Sequence, residues 1–293
     1  VLHYPFKQWR HKKRLSELLK KLHADVVVSM FCNDASILPQ IKDGSKKVLE
    51  VHFSRFKRLQ YGRKGLWKWA DKWRSNNDLK VVSRFDRFVV LTKEDKVYWG
   101  NLHNIQVIPN ARTFAFEKPA ELTNKTVMAV GRYDYQKGFE RLIAAWAEVC
   151  SKVDDWKLEI IGDGALREKM LQQIEENGLN DRVVLKKLPA AQMKDAYMNT
   201  SIFALSSRFE GLPMVLLEAQ AAGVPIVSFA CKCGPKDLIE DGINGFLVEE
   251  GDIEGLAKGL IRLIEDEELR KKMGKAAYQN SELYTENAIM KHW

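Results

Sequence analysis

Residues 208–229 read RFEGLPMVLLEAQAAGVPIVSF and predict a loop, a helix and a buried strand in succession. Gly211 gives the loop backbone freedom, and Pro213 suits the first turn of a helix, where an N–H has no intrahelical partner. The alanine-rich continuation favours helix until Gly223 ends it. The apolar run Ile226–Phe229 that follows predicts a strand.

Two carboxylates frame the start of this helix. Glu210 is expected just outside it and Glu218 in its second turn. A helix N-terminus offers unpaired N–H groups and a positive dipole end, so it forms a candidate anion site. The N–H groups concerned belong to Gly211, Leu212, Met214 and Val215. This arrangement suits a phosphorylated sugar whose hydroxyls are bound by the glutamates, and two solvated surface glutamates are the structural alternative.

Strands and helices alternate along most of the chain. Strands are predicted at 25–29, 47–51, 88–92, 126–130, 157–161, 182–185 and 202–205. Mostly apolar strands separated by helices indicate parallel sheets covered on both faces, an α/β fold. An irregular segment at 111–125 predicts a domain boundary, with domains at 1–120 and 121–280. Residues 281–293 are expected to form a helix that packs back on the first domain.

The charge is divided unevenly between the two halves. Residues 1–120 carry 25 Lys and Arg against 11 Asp and Glu, whereas residues 121–293 carry 22 against 28. The basic half therefore favours an anionic partner, either nucleic acid or acidic lipid. Between Phe53 and Arg74, six aromatic residues alternate with eight Lys or Arg and one acid. This stretch predicts contact with an anionic membrane surface, and tryptophans partly in the core are the alternative.

Composition excludes several classes of protein. No apolar run approaches the roughly 18 residues that span a bilayer. The four cysteines, Cys32, Cys150, Cys231 and Cys233, include no Cys-x-x-Cys pair, so neither a zinc site nor a disulfide framework is indicated. A reducing cytosol fits this cysteine usage best.

Two glycine-bounded loops are candidate nucleotide contacts. Residues 131–138, GRYDYQKG, join a strand to a helix, and Arg132 and Lys137 could hold a diphosphate. The spacing is not that of a Walker loop, and a solvated turn is the alternative. Gly162 and Gly164 could allow a nucleotide to approach the backbone, or mark an ordinary turn. A dinucleotide fingerprint fails, because its third glycine would fall at Arg167.

Two further positions complete the candidates. His52 follows a predicted strand at the edge where open α/β sheets bind ligands, although a histidine that only caps the strand is equally expected. Residues 241–248, DGINGFLV, predict a tight turn followed by a strand, with a structural role.

Taken in order, these motifs resemble the nucleotide-sugar domain of the family 4 retaining glycosyltransferases, which have the two-domain GT-B fold. The resemblance rests on residues 131–138, 162–164, the pair Glu210 and Glu218, Gly234-Pro235 and residues 241–245. Ile108-Pro109-Asn110 and His52 resemble parts of that family's first domain. The resemblance implies two Rossmann-like domains. The family begins with a strand and a Gly-rich loop that this sequence does not show, so the first domain is expected to be incomplete at its N-terminus.

The resemblance also implies an activity. A hexosyl or N-acetylhexosaminyl group would pass from a nucleotide sugar, preferably UDP-linked, to a lipid-linked or polysaccharide acceptor on the inner face of the membrane. Arg132 and Lys137 would neutralise the diphosphate, Glu218 would bind the ribose and Glu210 the donor sugar near its C3 hydroxyl. His52 would face the sugar and acceptor. The anomeric configuration would be retained by front-face attack, and no metal would be required.

Three other classes of protein are alternatives. A nucleic-acid-binding protein would use the basic half but leaves the glutamate domain unexplained. A nicotinamide oxidoreductase would share the sheet but lacks the glycine fingerprint. A sugar-nucleotide epimerase or hydrolase of the same fold would use the same donor site, and the basic acceptor side favours transfer over release.

Overall fold

The computed structural model describes residues 3–31, 33–60 and 64–293. Its contacts divide the chain into two units, the first ending at Ile108 and the second running from Pro109 to Trp293. Residues 109–120 thus group with the second unit, not with the first as predicted. The reason is hydrogen bonding: the Arg112 N–H donates to the Tyr284 carbonyl at 2.7 Å, and the Ala120 N–H to the Ala222 carbonyl at 2.8 Å. The described residues do not include Cys32. Nor do they include three residues of the aromatic stretch, Tyr61, Gly62 and Arg63.

The first unit contains a parallel sheet of four strands in the order β1-β2-β3-β4. The strands are β1 (Val26–Met30), β2 (Lys46–Val51), β3 (Arg87–Val90) and β4 (Ile105–Val107). The helices are α1 (His3–Leu22), α2 (Lys57–Gln60), α3 (Leu66–Val82) and α4 (Lys93–Trp99), with 3-10 turns at Asn33–Ser36 and Leu38–Gln40. In the core, the rings of Phe88 and Trp99 pack edge to face, with their centroids 4.8 Å apart. Thr92 caps α4 by accepting the Asp95 N–H at 3.0 Å.

The second unit contains a parallel sheet of six strands in the order β10-β9-β8-β5-β6-β7. The strands are β5 (Thr126–Val130), β6 (Lys157–Ile161), β7 (Val183–Lys186), β8 (Ile202–Leu205), β9 (Ile226–Phe229) and β10 (Gly245–Val248). The helices are α5 (Phe139–Cys150), α6 (Arg167–Glu176), α7 (Met193–Met198), α8 (Met214–Ala221), α9 (Pro235–Leu238), α10 (Ile253–Glu265), α11 (Glu267–Ser281) and α12 (Glu286–Met290). Two 3-10 turns lie at Ala190–Gln192 and Glu282–Tyr284.

Burial explains why these segments adopt this architecture. All residues of β8 and β9 are buried, as expected for central strands covered on both faces. Helix α5 buries one side, including Leu142 and the fully enclosed Trp146. Helices α10 and α11 are capped by Asp252 and Asp266, whose carboxylates accept N–H groups of the first turn. The predicted fold class, α/β with two Rossmann-like units, is confirmed.

Three local predictions have different outcomes. Helix α8 starts at Met214, and Pro213 is its cap with extended backbone (ψ 100°), not its first helical residue as predicted. Residues 241–248 form the predicted turn and strand: Gly242 has a φ of +76°, and Asp241 accepts the Leu247 N–H at 2.9 Å. Residues 281–293 form a 3-10 turn and α12 within the second unit, and their predicted packing on the first domain stays a prediction.

Candidate functional site

The candidate site lies where the sheet of the second unit reverses its winding. From β5 the chain proceeds to β6 and β7 on one side, and from β8 to β9 and β10 on the other. The loops that leave the carboxyl ends of β5 and β8 therefore diverge and leave a crevice, which is where open α/β sheets bind ligands. The first loop is residues 131–138 and the second is residues 206–213.

Glu210 and Lys137, one from each loop, form a buried ion pair. The Lys137 Nζ lies 2.8 Å from Glu210 Oε1, and the side chains are 14% and 7% exposed. The Ser207 hydroxyl donates to the same carboxylate oxygen at 2.6 Å. Gln136 Nε2 lies 3.5 Å from Glu210 Oε2, a weak contact. One carboxylate oxygen is thus firmly held, while the other keeps most of its capacity to accept hydrogen bonds.

Glu218 is oriented in a similar way. The hydroxyl of Tyr197, a fully buried side chain, donates to Glu218 Oε2 at 2.7 Å. Burial, and then the neighbouring Glu218 charge, raise the pKa of Tyr197 well above its usual value, so this hydroxyl stays protonated and remains a donor. No hydrogen bond from the described residues holds the second oxygen of Glu218.

The two predicted phosphate-binding cations have different environments. Arg132 is 74% exposed on its side chain and pairs with Asp134 Oδ2 at 3.1 Å. Lys137 is enclosed beside Glu210, as described above. Both cations already have a carboxylate partner, so a diphosphate would have to share or replace it. The sequence predicted the two cations but not these partners.

Gly162 and Gly164 allow two loops to touch at the backbone. A Cβ atom on Gly162 would lie 1.9 Å from the Gly131 carbonyl oxygen, and one on Gly164 would lie 2.6 Å from the Tyr133 carbonyl oxygen. The Tyr133 N–H donates to the Asp163 carbonyl at 2.9 Å. The close approach is therefore real, and its partner in this structure is the 131–138 loop.

The start of α8 borders the same crevice. Leu212 and Pro213 are buried, whereas Gly211, Met214 and Val215 are partly exposed. Gly234, with a φ of +99°, lies against Pro213: a Cβ there would lie 2.2 Å from the proline Cδ. The loop after β9 thus fixes the position of the α8 N-terminus.

Arg208 and Gln136 join the two loops, and sequence reasoning missed both. The Arg208 guanidinium donates to the Tyr135 carbonyl at 2.6 Å and pairs with Glu140. Its central carbon lies 4.1 Å from the centroid of the Tyr135 ring, a cation–π contact. Gln136 Nε2 donates to the Phe209 carbonyl at 3.0 Å, and the Gln136 carbonyl accepts the Arg208 N–H at 2.8 Å. The only available signal was the position of Arg208 two residues before Glu210.

His52 belongs to the first unit and follows β2, as predicted. Its Nε2 lies 3.0 Å from Glu50 Oε1, and the side chain is about one-third exposed. A carboxylate in this position orients the imidazole and favours the tautomer with hydrogen on Nε2. His52 is therefore fixed in orientation at the carboxyl edge of its own sheet.

The described residues offer neither a membrane span nor a cluster of metal ligands. They contain no helix long and apolar enough to cross a membrane. Nor do three or more His, Cys, Asp or Glu side chains group closely enough there to hold a metal ion.

Comparison with known proteins identifies the class. Residues 111–280 match the family model described as Glycosyl transferases group 1. The chain is 33% identical over 288 residues to an uncharacterized glycosyltransferase of Haemophilus influenzae, covering 96% of this chain and 78% of that protein. The protein belongs to the group 1 glycosyltransferases.

Two other relatives extend the comparison. The chain is 36% identical over 219 residues to the amylovoran biosynthesis glycosyltransferase AmsD of Erwinia amylovora, covering 71% of this chain and 61% of AmsD. The crystal structure of a point mutant of S. aureus TarM in complex with fondaparinux, alpha-GlcNAc-glycerol and UDP superimposes with a TM-score of 0.78 at 24% identity. That match covers 95% of this chain and 57% of the TarM chain. The chain thus spans little more than half of some relatives, and the shared fold is GT-B.

Proposed function

We propose that the protein is a retaining glycosyltransferase that moves a hexosyl or N-acetylhexosaminyl group from a UDP-sugar to a lipid-linked or polysaccharide acceptor in surface glycan synthesis. The observation that carries the proposal is a pair of oriented carboxylates: Glu210 beside Lys137 at the switch point of the sheet, and Glu218, held by Tyr197, in the helix α8 that follows. The relatives support it: one is named for amylovoran biosynthesis, and TarM was crystallised with UDP.

Each site residue has a role in this proposal. Glu218 accepts hydrogen bonds from the ribose hydroxyls through the oxygen that Tyr197 does not hold. Glu210 binds the donor sugar near its C3 hydroxyl. Lys137 and Arg132 neutralise the diphosphate, with N–H groups from Gly211, Leu212, Met214 and Val215 adding dipoles of the same sign. Gly162 and Gly164 let the 131–138 loop pack against the turn after β6 and so position that loop beside the nucleotide. His52 faces the sugar and the acceptor.

Charge stabilisation replaces a metal ion in this mechanism. As the glycosidic bond breaks, negative charge grows on the departing diphosphate, and a cation already held in the crevice stabilises it without reorganisation. Lys137 suits this role because its ammonium group can donate three hydrogen bonds and uses one on Glu210 and others on phosphate oxygens. Retention follows if the acceptor attacks from the same face that the diphosphate leaves.

Binding can be tested before any acceptor is known. Calorimetry with UDP, uridine, ADP and GDP, each with and without EDTA, should show tightest binding of UDP and no effect of EDTA. Glu218→Ala should weaken both UDP and uridine, whereas Lys137→Met should weaken UDP by about ten- to a hundredfold and spare uridine. Equal binding of all four ligands, or dependence on a divalent cation, would contradict the donor assignment.

Transfer requires a second assay. Incubation with a panel of UDP-sugars and a membrane lipid extract should give a glycosylated lipid whose anomeric carbon, examined by NMR, keeps the donor configuration. Free sugar without acceptor glycosylation would indicate a hydrolase, and an altered UDP-sugar would indicate an epimerase.

A further inference from the structure

The first half of helix α3, residues 66–75, directs polar residues inward and apolar residues outward, whereas its last turns bury Val82 in the core. Asp71 and Ser75 are 1% and 3% exposed on the side that faces the unit. On the opposite side Leu66, Trp69 and Trp73 are 86%, 70% and 60% exposed. Positions three and four apart lie on one helical face, so these three side chains form a continuous stripe. An ordinary surface helix has the reverse distribution, and this one needs an apolar partner.

Cations border the stripe on α3. Lys64, Lys68, Lys72 and Arg74 are exposed, as is Trp67. The acid beside them, Asp71, is buried and lies 3.8 Å from Arg74. Tryptophan rings favour the headgroup level of a bilayer, and ammonium groups above them attract lipid phosphate. This combination is typical of helices that lie in a membrane interface.

Helix α1 adds a second basic element beside the same 3-10 turn. His11 Nε2 lies 2.8 Å from Asp34 Oδ1 in the turn Asn33–Ser36, and α3 packs against that turn as well. Trp9, two residues from His11, is 59% exposed. Six exposed cations line α1, and Glu17 is its single acid. They are Lys7, Arg10, Lys13, Arg14, Lys20 and Lys21.

We propose that the outer faces of α1 and α3 form a docking surface for a bilayer that contains anionic lipid. The surface has the two features that such a bilayer selects, apolar side chains directed outward and an excess of positive charge around them. Nucleic acid would use the charge and could stack on the rings, but it gives no reason for Leu66 to stand outward in line with Trp69 and Trp73. The purpose of docking, bringing a lipid-linked acceptor within reach, rests on the proposed function; the docking itself does not.

Vesicle binding by the full chain tests the proposal independently of catalysis. The protein is co-sedimented with vesicles of phosphatidylcholine alone or with phosphatidylglycerol, over a salt series. Two triple variants probe the surface: Trp67→Ser/Trp69→Ser/Trp73→Ser and Lys64→Gln/Lys68→Gln/Lys72→Gln. A matched control, Lys152→Gln/Lys272→Gln/Lys275→Gln, removes three exposed charges from the second unit. Far-UV circular dichroism checks that every variant is folded, and UDP binding should be unchanged in all of them.

We expect binding to anionic vesicles at low salt that falls as salt rises. The lysine triple should weaken it about fivefold per charge removed, the tryptophan triple at least about tenfold, and the control triple not at all. If the parent chain does not bind UDP, the proposed function is contradicted, whereas the docking surface is still supported by vesicle binding. Absence of vesicle binding, or binding equal in the tryptophan triple and the parent, would overturn the docking surface. Tighter binding to a single-stranded oligonucleotide, or a dimer abolished by the tryptophan triple, would assign the surface to those partners instead.

Discussion

The Lys137–Glu210 ion pair offers a quantitative test of the site geometry. Both side chains are largely enclosed, so removing one partner leaves a charge that water cannot reach well. Replacing Lys137 by Met keeps similar volume but leaves the Glu210 carboxylate with only the Ser207 hydroxyl at close range. Breaking a buried pair in this way costs about 3–5 kcal/mol of the free energy of unfolding. Because the Ser207 hydroxyl remains, we expect Lys137→Met to lower the free energy of unfolding by about 3 kcal/mol.

The double variant decides whether the cost comes from charge. In Lys137→Met/Glu210→Gln no ion is left buried, and the introduced amide can still accept from Ser207. Its loss of free energy of unfolding should be smaller than the sum of the two single losses, by a coupling energy of at least about 2 kcal/mol. Urea unfolding at pH 7, followed by far-UV circular dichroism and fitted separately for the two units, measures all three variants.

A surface pair of similar length supplies the control. Lys187 lies 2.7 Å from Asp163, with side chains 77% and 53% exposed. Lys187→Met should leave the urea midpoint unchanged within error, since water screens this pair. The reasoning is refuted if Lys137→Met costs no more than Lys187→Met, or if the double variant loses the sum of the single losses.

Three further outcomes are expected. Tyr197→Phe should weaken UDP binding about tenfold by releasing the Glu218 carboxylate, whereas Tyr278→Phe, which loses only a bond to the Phe116 carbonyl at 2.9 Å, should leave UDP titrations unchanged. Gly162→Ala should lower the free energy of unfolding by about 1–3 kcal/mol, seen as a lower Tm, because its Cβ would meet the Gly131 carbonyl; an unchanged Tm would show that the loop relaxes freely. Burial raises the pKa of Tyr133 to about 12, so the stability it confers is complete below pH 10 and is lost as pH rises toward 12. Tyr133→Phe should therefore flatten the alkaline decline of stability by about 1.4 kcal/mol per pH unit, and an unaltered slope would argue against the raised pKa.

For the second unit, the sequence predicted where strands and helices begin and end better than which of them lie side by side. The bounds of β5, β6, β8, β9 and α5 follow from apolar runs that have Gly, Pro or Ser on at least one side. The pairing of Lys137 with Glu210 could not be predicted in the same way, because it depends on β5 lying beside β8. Strand order is set by packing of the whole sheet, whereas periodicity reports only each strand's own burial.

The first unit shows a different limit. In the sequence, Gly62 and Gly65 favour a loop followed by only a short helix, whereas α3 runs for 17 residues. Asn76 and Asn77 lower its intrinsic helix propensity, but burial of Val82 in the core of the first unit favours the longer helix. The aromatic and basic composition of this stretch was visible in the sequence. The sequence did not show that Leu66, Trp69 and Trp73 point outward, because that depends on the buried position of Asp71 on the opposite face of α3.

The hydrogen bonds between the 131–138 and 206–213 loops also bear on the order of folding. They join residues 69 to 74 positions apart along the chain, so they cannot form before β5 and β8 have paired. The crevice is consequently assembled after the centre of the sheet, and contacts made that late slow unfolding more than they speed folding. A ligand that occupies the crevice would act in the same way, prolonging the lifetime of the folded second unit while leaving the rate at which it first forms almost unchanged.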